Sequence, residues 1–133
     1  MPLLHVVGVA PTGQTFSLAF CFLKAEQEED YLWAMDNLKT VFAEIGIERN
    51  IFVTDRELAL ISAIAESFPS AHHLLCIWHV NKNVLAKCKP KFQTAEEFEA
   101  FNKRWSVLVH SKSVEDFNVQ WEALQTVPSP VRF

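Results

Sequence analysis

Glycine is scarce in this chain, with 3 residues in 133, and the three cysteines follow no disulfide-framework spacing. No Gly-rich phosphate-binding loop is present, which argues against the common nucleotide-binding motifs. The odd set of Cys21, Cys76 and Cys88 favours a reducing compartment. No apolar run approaches the ~18 residues that a membrane helix needs, and no signal-peptide pattern is found. We therefore expect a soluble, intracellular protein.

What the sequence has in quantity is apolar surface and unevenly distributed charge. Hydrophobic residues make up 50% and aromatic residues 12% of the chain, enough for a packed core. Net charge is -4, which argues against the whole chain as a nucleic-acid binder. Residues 1–70 carry 4 basic and 10 acidic side chains, a balance of -6, whereas residues 71–133 carry 8 and 6, a balance of +2. The positive balance lies in the second half.

Apolar periodicity predicts an α/β chain of one domain or part of one. The predicted order is β-β-α-β-α-β-α, followed by two more helices. Strands are predicted over 3–10, 15–23, 51–53 and 71–75. The first is a continuous apolar run, and the second alternates bulky and small side chains, as expected for its antiparallel partner. The strand–helix–strand segment predicts a parallel crossover. The pattern T-x-x-E predicts capping boxes at Thr54–Glu57 and Thr94–Glu97, and Ser113 opens the last helix.

Asp55 directly follows the third predicted strand, where open α/β sheets place their chemistry. One reading is a divalent-metal ligand for phosphoryl transfer, although two-metal sites need several carboxylates. The other is an acid at a helix N-terminus, which contributes about 0.3–1 kcal/mol through the helix dipole. Spacing alone favours this second reading, and the capping box explains Glu57 equally well.

Cys76-x-x-His79 is half of a zinc site. A structural zinc ion takes four protein ligands, and the nearby candidates for the remainder are His72, His73 and Cys88. The alternative is a core cysteine beside a partly exposed histidine, and the spacing does not decide between them.

Four lysines follow this pair at Lys82, Lys87, Lys89 and Lys91. They are either a solvated face, the commoner case, or contacts to phosphates. Trp33 and Trp78 could stack on bases, but aromatic residues in such positions usually pack in cores. No nucleophilic triad can be assembled.

Three segments resemble the Mutator-like element (MULE) transposase domain. They are MPLLHVVGVAPTGQTFSLAFCFL, IFVTDRELALISAI around Asp55, and HLLCIWHVNKNV with the Cys-x-x-His pair. The resemblance covers about residues 1–90 and implies a partial ribonuclease-H-like mixed sheet over 1–92. It further implies a helical insertion hairpin over 93–127, with a tail over 128–133. It implies nuclear DNA cleavage and joining at transposon ends with Mg²⁺ or Mn²⁺, with zinc at Cys76 and His79 as a further candidate.

Only one acid of the family's triad matches a position in this sequence, namely Asp55. The first Asp would precede Met1 and the final Glu would follow Phe133, so we expect a core that is catalytically inert alone. The missing first strand would be central in this fold, so we also expect an exposed sheet edge and reduced stability.

Two alternatives to an inert transposase core are proteins that bind without catalysing a reaction. One is a transposase-derived module, similar to the far-red-response regulators, that binds DNA or protein through the lysines without cleavage. Another is a free-standing zinc module. A homo-oligomer is compatible with each reading.

Overall fold

The computed structural model describes residues 1–46 and 51–126. The chain divides into two compact units, Met1–Leu75 and a second that begins at Cys76. The order of elements is the predicted one, β-β-α-β-α-β-α followed by two helices. In the described ranges, no helix combines the length and apolar character that crossing a membrane requires.

The first unit opens with an antiparallel hairpin, as predicted. Its strands are Leu3–Val9 (β1) and Thr15–Phe22 (β2), with a register irregularity between Val6 and Val7. The turn between them is closed by the Gly13 amide, which donates to the Ala10 carbonyl at 2.8 Å. Gly13 has a φ of 79°, in the left-handed region that glycine adopts without a Cβ penalty.

Two helices supply most of the core of the first unit, against which Leu4, Val6, Leu18 and Cys21 of the hairpin pack. The helices are Glu28–Glu44 (α1) and Leu58–Ser67 (α2). Of the apolar residues at helical spacing in α1, Tyr31, Met35, Leu38 and Phe42 are buried, whereas Ile45 at the C-cap is 60% exposed. Gly46, with a φ of 73°, follows the C-cap. The buried cluster consists of Leu23, Tyr31, Ala34, Met35, Leu38, Phe42, Leu60, Ala63, Ile64 and Phe68.

A parallel pair of short strands completes the unit. Ile51–Thr54 (β3) pairs with His72–Leu75 (β4), so that Phe52 lies opposite His73 and Thr54 opposite Leu75. The parallel pairing across α2 was predicted. The single mixed sheet was not found: the described strands form two separate sheets, β1–β2 and β3–β4. The mixed sheet was implied by the family resemblance, and no contact between the hairpin and the β3–β4 pair could be derived from the alternation within each strand.

The second unit is helical. Its helices are Ile77–Cys88 (α3), Ala95–Val109 (α4) and Val114–Thr126 (α5), with a short 3₁₀ turn at Lys89–Lys91. The Thr94 hydroxyl accepts from the Glu97 amide at 3.2 Å, and the Ser113 hydroxyl accepts from the Asp116 amide at 3.1 Å, as predicted for N-caps. The Glu97 carboxylate accepts from the Gln93 amide at 3.2 Å, one residue before the position that a capping box requires.

The core of this unit is formed by Cys88, Phe101, Trp105, Leu108 and Leu124. The compact units divide after Leu75, so that α3 belongs with α4 and α5. The boundary predicted at residue 92 separates the family's catalytic core from its helical insertion, and that division stays a prediction. The predicted tail over 128–133 lies outside the described residues.

Candidate functional site

Asp55 lies immediately beyond β3, in a three-residue linker that ends where α2 begins. Its side chain is exposed. Because β3 and β4 are parallel, their carboxyl ends meet at one edge of the pair, and Asp55 stands at that edge. This is the position that the sequence predicted for a chemistry-bearing acid.

The predicted capping box between Thr54 and Glu57 is not formed. The N-cap of α2 is Glu57, whose carboxylate accepts a hydrogen bond from the Ala59 amide at 3.3 Å. Thr54 is the last residue of β3 and therefore lies too far upstream to cap the helix. Glu57 therefore caps the helix as the N-cap residue itself. The prediction that Thr54 caps it is wrong.

Thr54 instead forms hydrogen bonds to both the Asp55–Glu57 linker and the neighbouring strand β4. Its hydroxyl donates to the Asp55 carbonyl oxygen at 2.8 Å and lies 2.7 Å from Nε2 of His73 on β4. A hydroxyl has one proton, which the carbonyl bond uses, so His73 Nε2 must be the donor to the Thr54 oxygen. His73 is half-buried, whereas its neighbour His72 is exposed.

Tyr31 of α1 belongs to the electrostatic surroundings of Asp55. Burial raises the pKa of the Tyr31 phenol, and the negative charges of Glu26, Glu57 and Asp55 raise it further. Nothing local in the sequence joins Tyr31 to an acid 24 positions later.

A divalent-metal site needs more ligands than this region supplies. Mg²⁺ sites in phosphoryl transfer use carboxylates together with water and phosphate oxygens, and two-metal sites use several carboxylates. Within residues 1–46 and 51–126, no three His, Cys, Asp or Glu side chains are grouped closely enough to hold an ion. The residues present do not fit a complete Mg²⁺ or Mn²⁺ site.

The Cys-x-x-His pair lies at the start of α3. Cys76 is the residue before the helix, and His79 lies within the first turn with a buried Nδ1 that has no partner in the described ranges. Cys88 belongs to the apolar core, and burial raises the pKa of its thiol. His73 donates to Thr54, as described above. The other ligands considered for a zinc site are thus not assembled around Cys76 and His79 in the described residues.

The four lysines after this pair are all exposed. Two of them lie over aromatic rings: the Lys82 ammonium is 5.0 Å from the Trp78 ring centroid, and that of Lys89 is 5.8 Å from Phe98. Such contacts restrict the positions of the charges without neutralising them. Lys87 follows Lys82 by five residues and projects from a different side of α3. The cluster is therefore divided over the helix surface.

Comparison with known proteins identifies the class. The domain model described as "MULE transposase domain" matches residues 1–83, more than half of the chain. The chain therefore belongs to the MULE transposase domain family, as the three segments indicated.

The relatives include named transposases and proteins with other names. A transposase for insertion sequence element IS1201 from Lactobacillus helveticus is 23% identical, covering 87% of this chain and 31% of its own length. Protein FAR1-RELATED SEQUENCE 11 from Arabidopsis thaliana is 30% identical, covering 91% of this chain and 17% of its own. The PKS-NRPS hybrid synthetase cheA of Chaetomium globosum is 35% identical, covering 70% of this chain and 2% of its own length.

The chain thus spans less than a third of each of these relatives. No solved structure matches it.

Proposed function

We propose that this chain is part of a MULE-type DNA transposase core that supplies one acid, Asp55, and does not cleave DNA on its own. The observation that carries the proposal is the position of Asp55: an exposed carboxylate at the tip of β3, with no group of three ligating side chains among the described residues. In the complete protein, the remaining ligands of a Mg²⁺ or Mn²⁺ ion would come from outside these residues.

A cleavage assay tests this proposal. The purified chain is incubated with supercoiled DNA and Mg²⁺ or Mn²⁺, beside the variants Asp55→Asn and Asp116→Asn. We expect no metal-dependent nicking by any of the three proteins. Nicking by the parent chain that disappears in Asp55→Asn but persists in Asp116→Asn, an exposed acid of the second unit, would overturn the proposed inactivity.

A second function, DNA binding without cleavage, is favoured by the exposed lysines around α3. Lys82 and Lys89 are restrained by Trp78 and Phe98, so that their charges are held in place for a polyanion. The similarity to a FAR1-related protein, which is not named a transposase, is compatible with such a module. DNA, a nuclear location and assembly into a homo-oligomer belong to this proposal.

The salt dependence of DNA binding tests the second function. Each lysine–phosphate contact contributes about 0.9 to the slope of log K against log salt concentration. We expect Lys82→Ala and Lys89→Ala each to lower the slope by about one, whereas Lys39→Ala, an exposed lysine of α1, leaves it unchanged. Failure of the parent chain to bind DNA at low salt would exclude the second function.

A further inference from the structure

Two hydrogen bonds in series connect β4 to the segment that carries Asp55. His73 Nε2 lies 2.7 Å from the Thr54 hydroxyl oxygen, and that hydroxyl lies 2.8 Å from the Asp55 carbonyl oxygen. The carbonyl can only accept, so the hydroxyl donates to it and accepts from the imidazole. In both bonds the proton is donated towards Asp55, from His73 to Thr54 and from Thr54 to Asp55. We call this pair of hydrogen bonds the relay.

This relay restrains the backbone that connects β3 to α2. Asp55 and Arg56 are exposed, and they lie after the last pair of the β3–β4 register and before the first residue of α2. Glu57 restrains the helix side of the linker through the Ala59 amide. On the strand side, the Asp55 carbonyl is restrained by the Thr54 hydroxyl.

We propose that His73 is a positioning residue for Asp55: its Nε2–H bond to Thr54 holds the Thr54 hydroxyl on the Asp55 carbonyl and thereby orders the linker that presents the carboxylate. That the carboxylate serves in DNA cleavage rests on the proposed function above. The ordering itself depends only on the relay, and it is measured without metal or DNA.

The adjacent histidine provides a matched control. His72 precedes His73 on the same short strand, is exposed, and faces the opposite side of the β3–β4 pair because side chains alternate along a strand. Replacing His72 therefore changes the same strand without changing the relay. Glutamine at position 73 retains a side-chain N–H donor, whereas leucine retains bulk without a donor.

Nuclear magnetic resonance on the whole 133-residue chain tests the proposal. Long-range ¹⁵N correlation should place the proton of neutral His73 on Nε2. Backbone order parameters for Asp55 and Arg56 should be near the rigid value of about 0.85 in the parent chain, His73→Gln and His72→Leu. They should fall towards about 0.6 in His73→Leu and in Thr54→Val, which removes the hydroxyl.

A neutral His73 protonated on Nδ1, or unchanged order in both His73→Leu and Thr54→Val, would overturn the proposal. If His73→Leu does not fold, the tautomer and the Thr54→Val variant decide the result. A cleavage assay that contradicts the proposed function leaves these outcomes unchanged, so the two hypotheses can fail separately.

Discussion

The Ser67 hydroxyl at the end of α2 donates a hydrogen bond to the Asp36 carboxylate of α1, with 2.7 Å between Oγ and Oδ1. Ser67 is only 2% exposed, whereas Asp36 is exposed, so one partner of the bond is removed from water and the other is not. The two helices that cover the first unit's core are therefore joined by a polar contact whose loss leaves a buried hydroxyl without a partner.

We predict that Asp36→Ala lowers the free energy of unfolding by about 1–3 kcal/mol, because it leaves the buried Ser67 hydroxyl unpaired. Asp36→Asn keeps a carbonyl acceptor in place and should cost less. Urea unfolding of the whole chain measures both changes. Ser62→Ala, which alters an exposed serine of α2, is the control. Equal losses for Asp36→Ala and Asp36→Asn would contradict the assigned role.

Gly8 of β1 is covered by the Phe16 ring of β2, and a Cβ added at Gly8 would overlap with the ring's end. We predict that Gly8→Ala destabilises the hairpin by about 1–3 kcal/mol, because the added methyl group must displace the ring. Thermal unfolding of Gly8→Ala in the parent and in a Phe16→Ala background measures the coupling between the two positions. The ring explanation is wrong if the cost is the same in both backgrounds.

Tyr31 allows a pH prediction, because it is the sole tyrosine of the chain and its ionisation can be followed by ultraviolet absorbance. Its pKa is raised above 10.0 by burial and by the neighbouring acids. Above pH 10 the unfolded chain therefore releases this proton more readily than the folded chain, so the free energy of unfolding contributed by Tyr31 falls as pH rises.

We expect the titration midpoint of the folded chain to lie above that of the chain in denaturant. Asp55→Asn and Glu57→Gln should each lower the folded midpoint, since each removes a negative charge that opposes the phenolate. Glu66→Gln, on α2 but not among the groups that raise this pKa, serves as the control. A folded midpoint at or below the denatured one would refute the assigned environment.

The order of helices and strands could be predicted because it depends on local patterns. The apolar run of β1, the alternation in β2, the helical spacing of α1, and the caps at Thr94 and Ser113 each involve residues within a few positions of one another. The two strand pairs were also predicted, whereas their joining into one mixed sheet, which the resemblance implied, is not found among the described strands.

The candidate site likewise has features that the sequence could predict and features that it could not. Asp55 at the end of a strand was predictable from the apolar run before it and the helix pattern after it. The choice between His72 and His73 was not, because it depends on which histidine faces Thr54 across the β3–β4 register. The influence of Asp55 on the pKa of Tyr31 likewise depends on two segments that are distant in the sequence and close enough in the fold for their charges to interact.

The Cys76 and His79 pair leads to the last prediction, on metal removal. A structural zinc ion takes four protein ligands, and the described residues contain no group of even three suitable side chains. Cys88 is a poor further ligand, since burial raises its pKa and zinc binds the thiolate. We expect a chelator to leave the thermal midpoint unchanged.

Elemental analysis should find no stoichiometric zinc in the parent chain, Cys76→Ser, His79→Ala or the control Cys21→Ser. One zinc ion per chain, lost in Cys76→Ser and His79→Ala but kept in Cys21→Ser, would establish the zinc module instead.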